Sequence, residues 1–167
     1  MIDDTIKKNQ DQDVVDVDLG FVEKRRFRIC GDYNRILELN VSDLNIMARL
    51  KTGYPKLKEL LIESQNKIQS IPNTPENNEQ MLENIADCLT EIDGKMREII
   101  DYIFDTNASE VCAPSGNMFD PVDGQYRFER IIDKLMGLYS IGLDEEYRKI
   151  KNTIDNKTKK YTKKSKK

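Results

Sequence analysis

Apolar residues repeat with helical spacing over most of the chain, and the strongest run lies between residues 76 and 104. Its apolar positions are separated alternately by three and four residues, which is the a/d spacing of a heptad repeat. Gly94 interrupts the run at a cost of about 1 kcal/mol relative to alanine, and it allows either a close helix crossing or a slight bend. We expect this helix to be the spine of the protein. Its apolar positions, called the heptad seam below, are Leu82, Ile85, Leu89, Ile92, Met96, Ile99 and Ile103.

The heptad seam has two interpretations that the sequence leaves open. It is either core that faces the protein's own helices, since antiparallel bundles use the same spacing, or a surface that binds another chain. The two are compatible, because a spine helix can use both sides.

Weaker patterns predict further helices on either side of the spine. One begins after Asn40 or Ser42, either of which can cap it, and ends near Gly53 because Tyr54 precedes a proline. A second begins at Pro55 and runs to the break near residues 71–75.

Two more helices are predicted after the spine. Residues 125–141 carry a broad apolar face and are expected to end at Gly142. Residues 144–155 form a last short helix with Tyr147, Ile150 and Ile154 facing inward.

Residues 26–39 have the pattern of a β-hairpin whose turn contains Gly31 and Asn34. Both residue types tolerate the positive φ that a tight reversal needs. Two strands alone are marginally stable, so the hairpin must rest on a helix or pair with another chain. The predicted fold is therefore mainly α, a helical bundle around one long helix with a small N-terminal β-hairpin.

Charge divides the chain of 167 residues into three parts. Residues 1–18 contain six aspartates and are expected to be a flexible acidic arm, followed by a single helical domain over 19–155. Residues 156–167 are expected to be a flexible basic tail. It contributes +7 to a net charge of −3, so the remainder carries −10. The tail lysines offered as contacts for an acidic partner are Lys157, Lys159, Lys160, Lys163 and Lys164.

The residue types present disfavour an enzyme. The chain has no histidine, which excludes His-dependent triads and His-ligated zinc. No nucleophile elbow or phosphate-binding glycine loop is visible, and Cys112 has no neighbouring cation in sequence that would activate it. The segment 120–124 is interpreted as a turn and not as a calcium loop, because the closing Glu of an EF-hand is missing. We expect no catalytic residue, no metal and no cofactor.

Three cysteines stand far apart in the chain, at Cys30, Cys88 and Cys112. Their odd number and long spacing argue against a disulfide framework.

No signal peptide and no apolar run of about 20 residues is present. We therefore expect a cytoplasmic protein without membrane association. A lysine-only tail lacks the arginines of specific nucleic-acid recognition, so no specific nucleic-acid partner is expected.

Several segments resemble small proteins encoded in the tail gene clusters of phages of Gram-positive bacteria. The resemblance covers roughly residues 20–165 and is carried by residues Phe27–Asn40, Ser42–Ile46, Val111–Pro114, Phe119–Phe128 and Lys160–Lys163. Proteins at that genomic position are often tail assembly chaperones, which are small, helical and non-enzymatic.

The resemblance implies protein partners, namely the tape-measure protein and tail-tube subunits, in the host cytoplasm. It also implies self-association, which the sequence alone does not settle. Two alternatives belong to other classes. One is a phage-encoded inhibitor of a host defence nuclease or complex, suggested by the acidic body. The other is a structural component of the virion, in the tail or at a connector.

Overall fold

The computed structural model of the protein describes residues 6–8, 15–20, 22–72 and 78–164. These residues form four helices and three two-stranded antiparallel hairpins, and the predicted mainly helical fold with a small N-terminal hairpin is confirmed. The helices are α1 (Asn45–Ser70), α2 (Asn78–Phe104), α3 (Ala108–Cys112) and α4 (Arg127–Lys164). The strands are β1 (Ile6–Lys8), β2 (Val15–Val17), β3 (Arg25–Arg28), β4 (Ile36–Leu39), β5 (Pro121–Val122) and β6 (Gln125–Tyr126).

The predicted hairpin corresponds to β3 and β4, which pair with Phe27 opposite Leu37. Its turn places Cys30 and Gly31 at positive φ, 52° and 73°. Leu37 and Leu39 are almost completely buried. The hairpin therefore rests on the helices of its own chain, which is one of the two ways in which such a small sheet becomes stable.

Part of the predicted acidic arm is paired. Residues Ile6–Lys8 lie antiparallel to Val15–Val17, with Lys7 opposite Asp16. The remainder of residues 1–14 lies outside the described residues, so the predicted flexibility of that part stays a prediction.

The prediction that a helix ends at Gly53 was wrong, because α1 continues without a break through Pro55 to Ser70. Proline at that position removes one hydrogen bond, to the carbonyl of Lys51, and both residues are exposed, so water can satisfy that oxygen. Gly53 does not end the helix but lies buried at the contact between α1 and α2. A Cβ there would lie 2.7 Å from Cγ1 of Ile103, so the glycine allows α1 to approach α2 closely.

The prediction that a helix ends at Gly142 was also wrong, because α4 is one helix of 38 residues. Gly142 is buried inside it. A Cβ at this position would lie 2.5 Å from Cγ2 and 2.7 Å from the carbonyl oxygen of Val41, in the segment between β4 and α1. The glycine is therefore a contact point of the helix and not its end.

The core lies between α1, α2, the first half of α4 and the inner face of the β3–β4 hairpin. Its largest fully buried side chains include Phe104, Phe128, Ile46 and Tyr139. Burial raises the pKa of the Tyr139 hydroxyl to about 12, so this side chain stays neutral over the whole physiological range.

Gly94 is not part of this packing, because it is exposed and nothing lies within 4 Å of a Cβ built on it. Of the two roles considered for Gly94, a close helix crossing or a slight bend, the close crossing is therefore not the one it serves among the described residues.

Two charged side chains on α2 hold the loop that leads from α3 to α4. Asp93 and Arg97 form an ion pair of 2.6 Å along the helix. Arg97 also donates hydrogen bonds to the carbonyl oxygens of Ala113 (2.9 Å) and Gly116 (2.7 Å). The other oxygen of Asp93 accepts the backbone N–H of Met118 at 2.6 Å. The side chains of α2 therefore fix the path of the loop backbone between α3 and α4.

The glycines of α4 give a matched pair of substitutions. We expect Gly142→Ala to lower the free energy of unfolding by about 1–3 kcal/mol, because its Cβ overlaps Val41. Gly137→Ala, on the same helix with nothing within 4 Å, should raise it by about 0.5–1 kcal/mol. Urea denaturation followed by circular dichroism measures both. Equal effects of the two substitutions would contradict the close contact.

Arg97→Met tests the attachment of the loop. It leaves the Asp93 carboxylate and two carbonyls without their partner, and we expect a loss of about 2–3 kcal/mol in the free energy of unfolding. The control is Lys95→Met, which removes an exposed pair with Glu91 on the same helix and should cost far less than Arg97→Met, because exposed ion pairs contribute little to stability. A similar small cost for both would show that Arg97 does not hold the loop.

Candidate protein-binding surface

The heptad seam is mostly internal. Ile92, Met96 and Ile103 are completely buried, and Ile99 is half-buried beside Gly53 of α1. Toward the start of α2 the burial decreases: Ile85 and Leu89 are half-buried, and Leu82 is 64% exposed. The second half of the seam is therefore core, and its first positions lie where only α1 and α2 meet.

The basic tail differs from its predicted form, because the backbone of α4 continues through it as far as Lys164. Lysine and arginine are good helix formers, and the segment after Gly142 contains neither glycine nor proline that would end the helix. Lys157 and Lys159 are exposed on the described part of this segment. Lys160, Lys163 and Lys164 follow on the same helix, while residues 165–167 lie outside the described residues.

The second half of α4 carries an uncovered row of apolar side chains. Leu143, Tyr147, Ile150 and Ile154, called the α4 stripe below, are separated by four, three and four residues and so share one helix face. Leu143 is half-buried, whereas Tyr147, Ile150 and Ile154 are 70%, 55% and 56% exposed. The prediction that these last three face inward was wrong, because α4 runs past the body and no element of the described residues packs on them.

The attachment of the stripe to the body is limited to its base. Arg25 on β3 forms an ion pair with Glu145, and this hydrogen-bonded partner lowers the pKa of the Glu145 carboxyl. Residues 22–26 and Val41 line a groove against Glu146 and Lys149. From Tyr147 to Lys159 every side chain is exposed. The helix from Ile150 to Lys164 therefore extends about 21 Å beyond these contacts.

The charge of this extension is strongly positive. Residues 147–164 carry eight lysines and arginines and one acid, Asp155, for a net charge of +7. A second copy lying parallel would bring these charges together, which is unfavourable. An amphipathic helix with acidic flanks would cover the stripe and neutralise the lysines.

The other groups that the sequence offered as candidates for metal binding or catalysis are the segment 120–124 and Cys112. The segment 120–124 forms the tight β5–β6 hairpin, with Asp123 and Gly124 at positive φ, as a structural turn requires. Within the described residues, no group of three or more acids and cysteines could hold a metal ion. Burial raises the pKa of the Cys112 thiol to about 11, so it is not a thiolate at neutral pH.

The sequence contained a signal for the α4 stripe, but the prediction that a helix ends at Gly142 divided the apolar pattern into two helices. Three-four spacing continues from Met136 and Tyr139 through Leu143 to the stripe. That continuity indicates one helix, and its length exceeds what the body covers. None of the helices in the described ranges combines the length and apolarity that crossing a bilayer requires.

In comparisons with protein-family models, curated proteins and solved structures, nothing matches this chain.

The mixed burial of the heptad seam yields a prediction. Ile92→Ala should lower the free energy of unfolding by about 2–5 kcal/mol, because it leaves a cavity in the core. Leu82→Ala, at an exposed position of the same helix, should change it by about 0.5 kcal/mol or less. Denaturant unfolding measures both. If Leu82→Ala is as costly as Ile92→Ala, the start of the seam is covered in solution, as it would be in a self-associated form.

Proposed function

We propose that the protein is a non-enzymatic assembly factor that holds an acidic amphipathic helix of a partner protein along the second half of α4. The observation that carries the proposal is the exposed α4 stripe on a projecting, strongly basic helix. Helix-on-helix docking of this kind uses anchors at three-four spacing, which is the spacing of the stripe.

The energetics favour covering the stripe. Burying an isoleucine or tyrosine of this kind contributes about 1.5–3 kcal/mol per side chain before the costs of association. The lysines around it speed encounter with an acidic partner, and this attraction weakens as salt rises. Such contacts give reversible binding, which suits a factor that must release its partner.

The resemblance to phage tail-cluster proteins supplies a specific partner for this proposal. A tail assembly chaperone would bind the long helices of the tape-measure protein and bring tail-tube subunits to it. The chain would then act during assembly in the host cytoplasm. A segment of tape-measure helix with acidic flanks would be the occupant of the stripe.

The proposal predicts that a tape-measure protein is encoded beside this chain, and co-expression with that protein tests it. We expect a soluble complex with the unaltered chain. The triple variant Tyr147→Gln, Ile150→Gln, Ile154→Gln should weaken binding at least about tenfold, because it removes the apolar anchors but leaves the lysines. The matched control, Met47→Gln with Ile62→Gln, changes exposed apolar residues of α1 and should bind normally.

Four outcomes would contradict the proposal. If the tape-measure protein is equally insoluble with and without this chain, it is excluded as the partner. Stoichiometric capture of a host nuclease would favour the inhibitor, and presence of the chain in purified virions at fixed copy number would favour a structural component. Binding of the triple variant at full affinity would move the contact to another surface.

A further inference from the structure

A second feature lies on the body, away from the α4 stripe. A cleft of about 480 Å³ opens between the turn of the β3–β4 hairpin, the loop after α3 and the first turns of α4. This volume is within the range of sites for small molecules. Nothing in the proposed partner-binding function uses it.

The charge of this cleft is opposite to that of the body. Five cations line it, Arg28, Arg35, Arg127, Arg130 and Lys134, and no Asp or Glu is among its lining residues in the described chain. Outside the basic tail the chain carries −10. Two carboxylates outside the lining pair with two of these cations, Asp120 with Arg127 at 3.2 Å and Asp123 with Arg130 at 3.0 Å. The cleft therefore keeps a surplus of positive charge, which low-dielectric walls concentrate.

Two of the guanidinium groups are held in place by backbone oxygens. Arg35 donates to the carbonyls of Val111 (2.8 Å) and Cys112 (2.5 Å) at the end of α3. Arg127 donates to the carbonyl of Ser115 at 3.0 Å, while its buried Nε has no partner among the described residues. Since a guanidinium has five donors, both arginines are oriented in advance and still have N–H groups to offer.

The floor of the cleft is apolar. Ala113, Ile131 and Leu135 are buried there, and Ile29 and Val122 are half-buried beside them. Apolar walls with a few convergent polar groups are typical of sites that hold an organic molecule and not a bare ion.

We propose that the cleft binds a small organic anion, with a phosphate or carboxylate head on an apolar body. The arginines and Lys134 would receive the head, because planar guanidinium forks match the oxygens of both groups. The apolar body would lie on Ile131 and Leu135. The proposal is independent of the α4 stripe, which lies further along the same helix.

Calorimetric titration of the full chain with 1-naphthyl phosphate tests the proposal. We expect saturable one-to-one binding that is at least about tenfold tighter than for 1-naphthol or for inorganic phosphate, each of which offers half of the recognised chemistry. The variant Arg130→Gln, Lys134→Gln should weaken it about tenfold. The control Lys51→Gln, Lys56→Gln removes two exposed cations of α1 and should leave the affinity within about twofold.

Thiol labelling gives a second readout that needs no substitution. Cys30 lines the cleft and is exposed, whereas Cys88 lies on α2 outside it. Saturating 1-naphthyl phosphate should slow maleimide labelling of Cys30 several-fold and leave Cys88 unchanged.

Four results would overturn the proposal: no saturable binding, equal affinity of the cleft variant, equal affinity for inorganic phosphate, or unchanged labelling of Cys30. Tighter binding of a hexa-aspartate peptide that displaces 1-naphthyl phosphate would also overturn it, since the cleft would then serve an acidic polypeptide.

Discussion

The ion pair of Asp93 and Arg97 is the interaction on which the rest of the structure depends. Both side chains lie on α2, where Arg97 is 23% and Asp93 16% exposed. Together they hold three backbone groups of the loop between residues 113 and 118. A loop without regular structure needs such partners, because its own polar groups are otherwise unsatisfied. The loop in turn determines where α4 begins, and therefore where its second half leaves the body.

Much of the architecture could be predicted from local patterns. Heptad spacing located α2, and turn residues located the β3–β4 hairpin, because both signals are contained in short stretches of sequence. The two glycines misled the prediction for a physical reason. A glycine that ends a helix and a glycine that admits a neighbour look alike in sequence, and only the positions of Ile103 and Val41 distinguish them at Gly53 and Gly142.

The two candidate surfaces, the α4 stripe and the cleft, were harder to predict from the sequence, because both depend on tertiary structure. The same three-four spacing marks buried Ile92 and exposed Ile150, and what separates them is whether another element lies opposite. The five cations of the cleft come from β3, the segment before β4 and α4, which are up to about a hundred residues apart in the chain. No local pattern predicts that they converge. The basic tail, by contrast, was visible from composition, and the structure adds that its residues 156–164 belong to a projecting helix.

Hydrogen exchange of the backbone amides tests the central claim most directly. In the free protein, amides of residues 147–159 should exchange much faster than those of residues 127–142, because every side chain from Tyr147 to Lys159 is exposed. With the proposed tape-measure partner bound, the amides of 147–159 should slow at least about tenfold while those of α1 stay unchanged. Protection confined to α1 and α2, or absent from α4, would contradict the account.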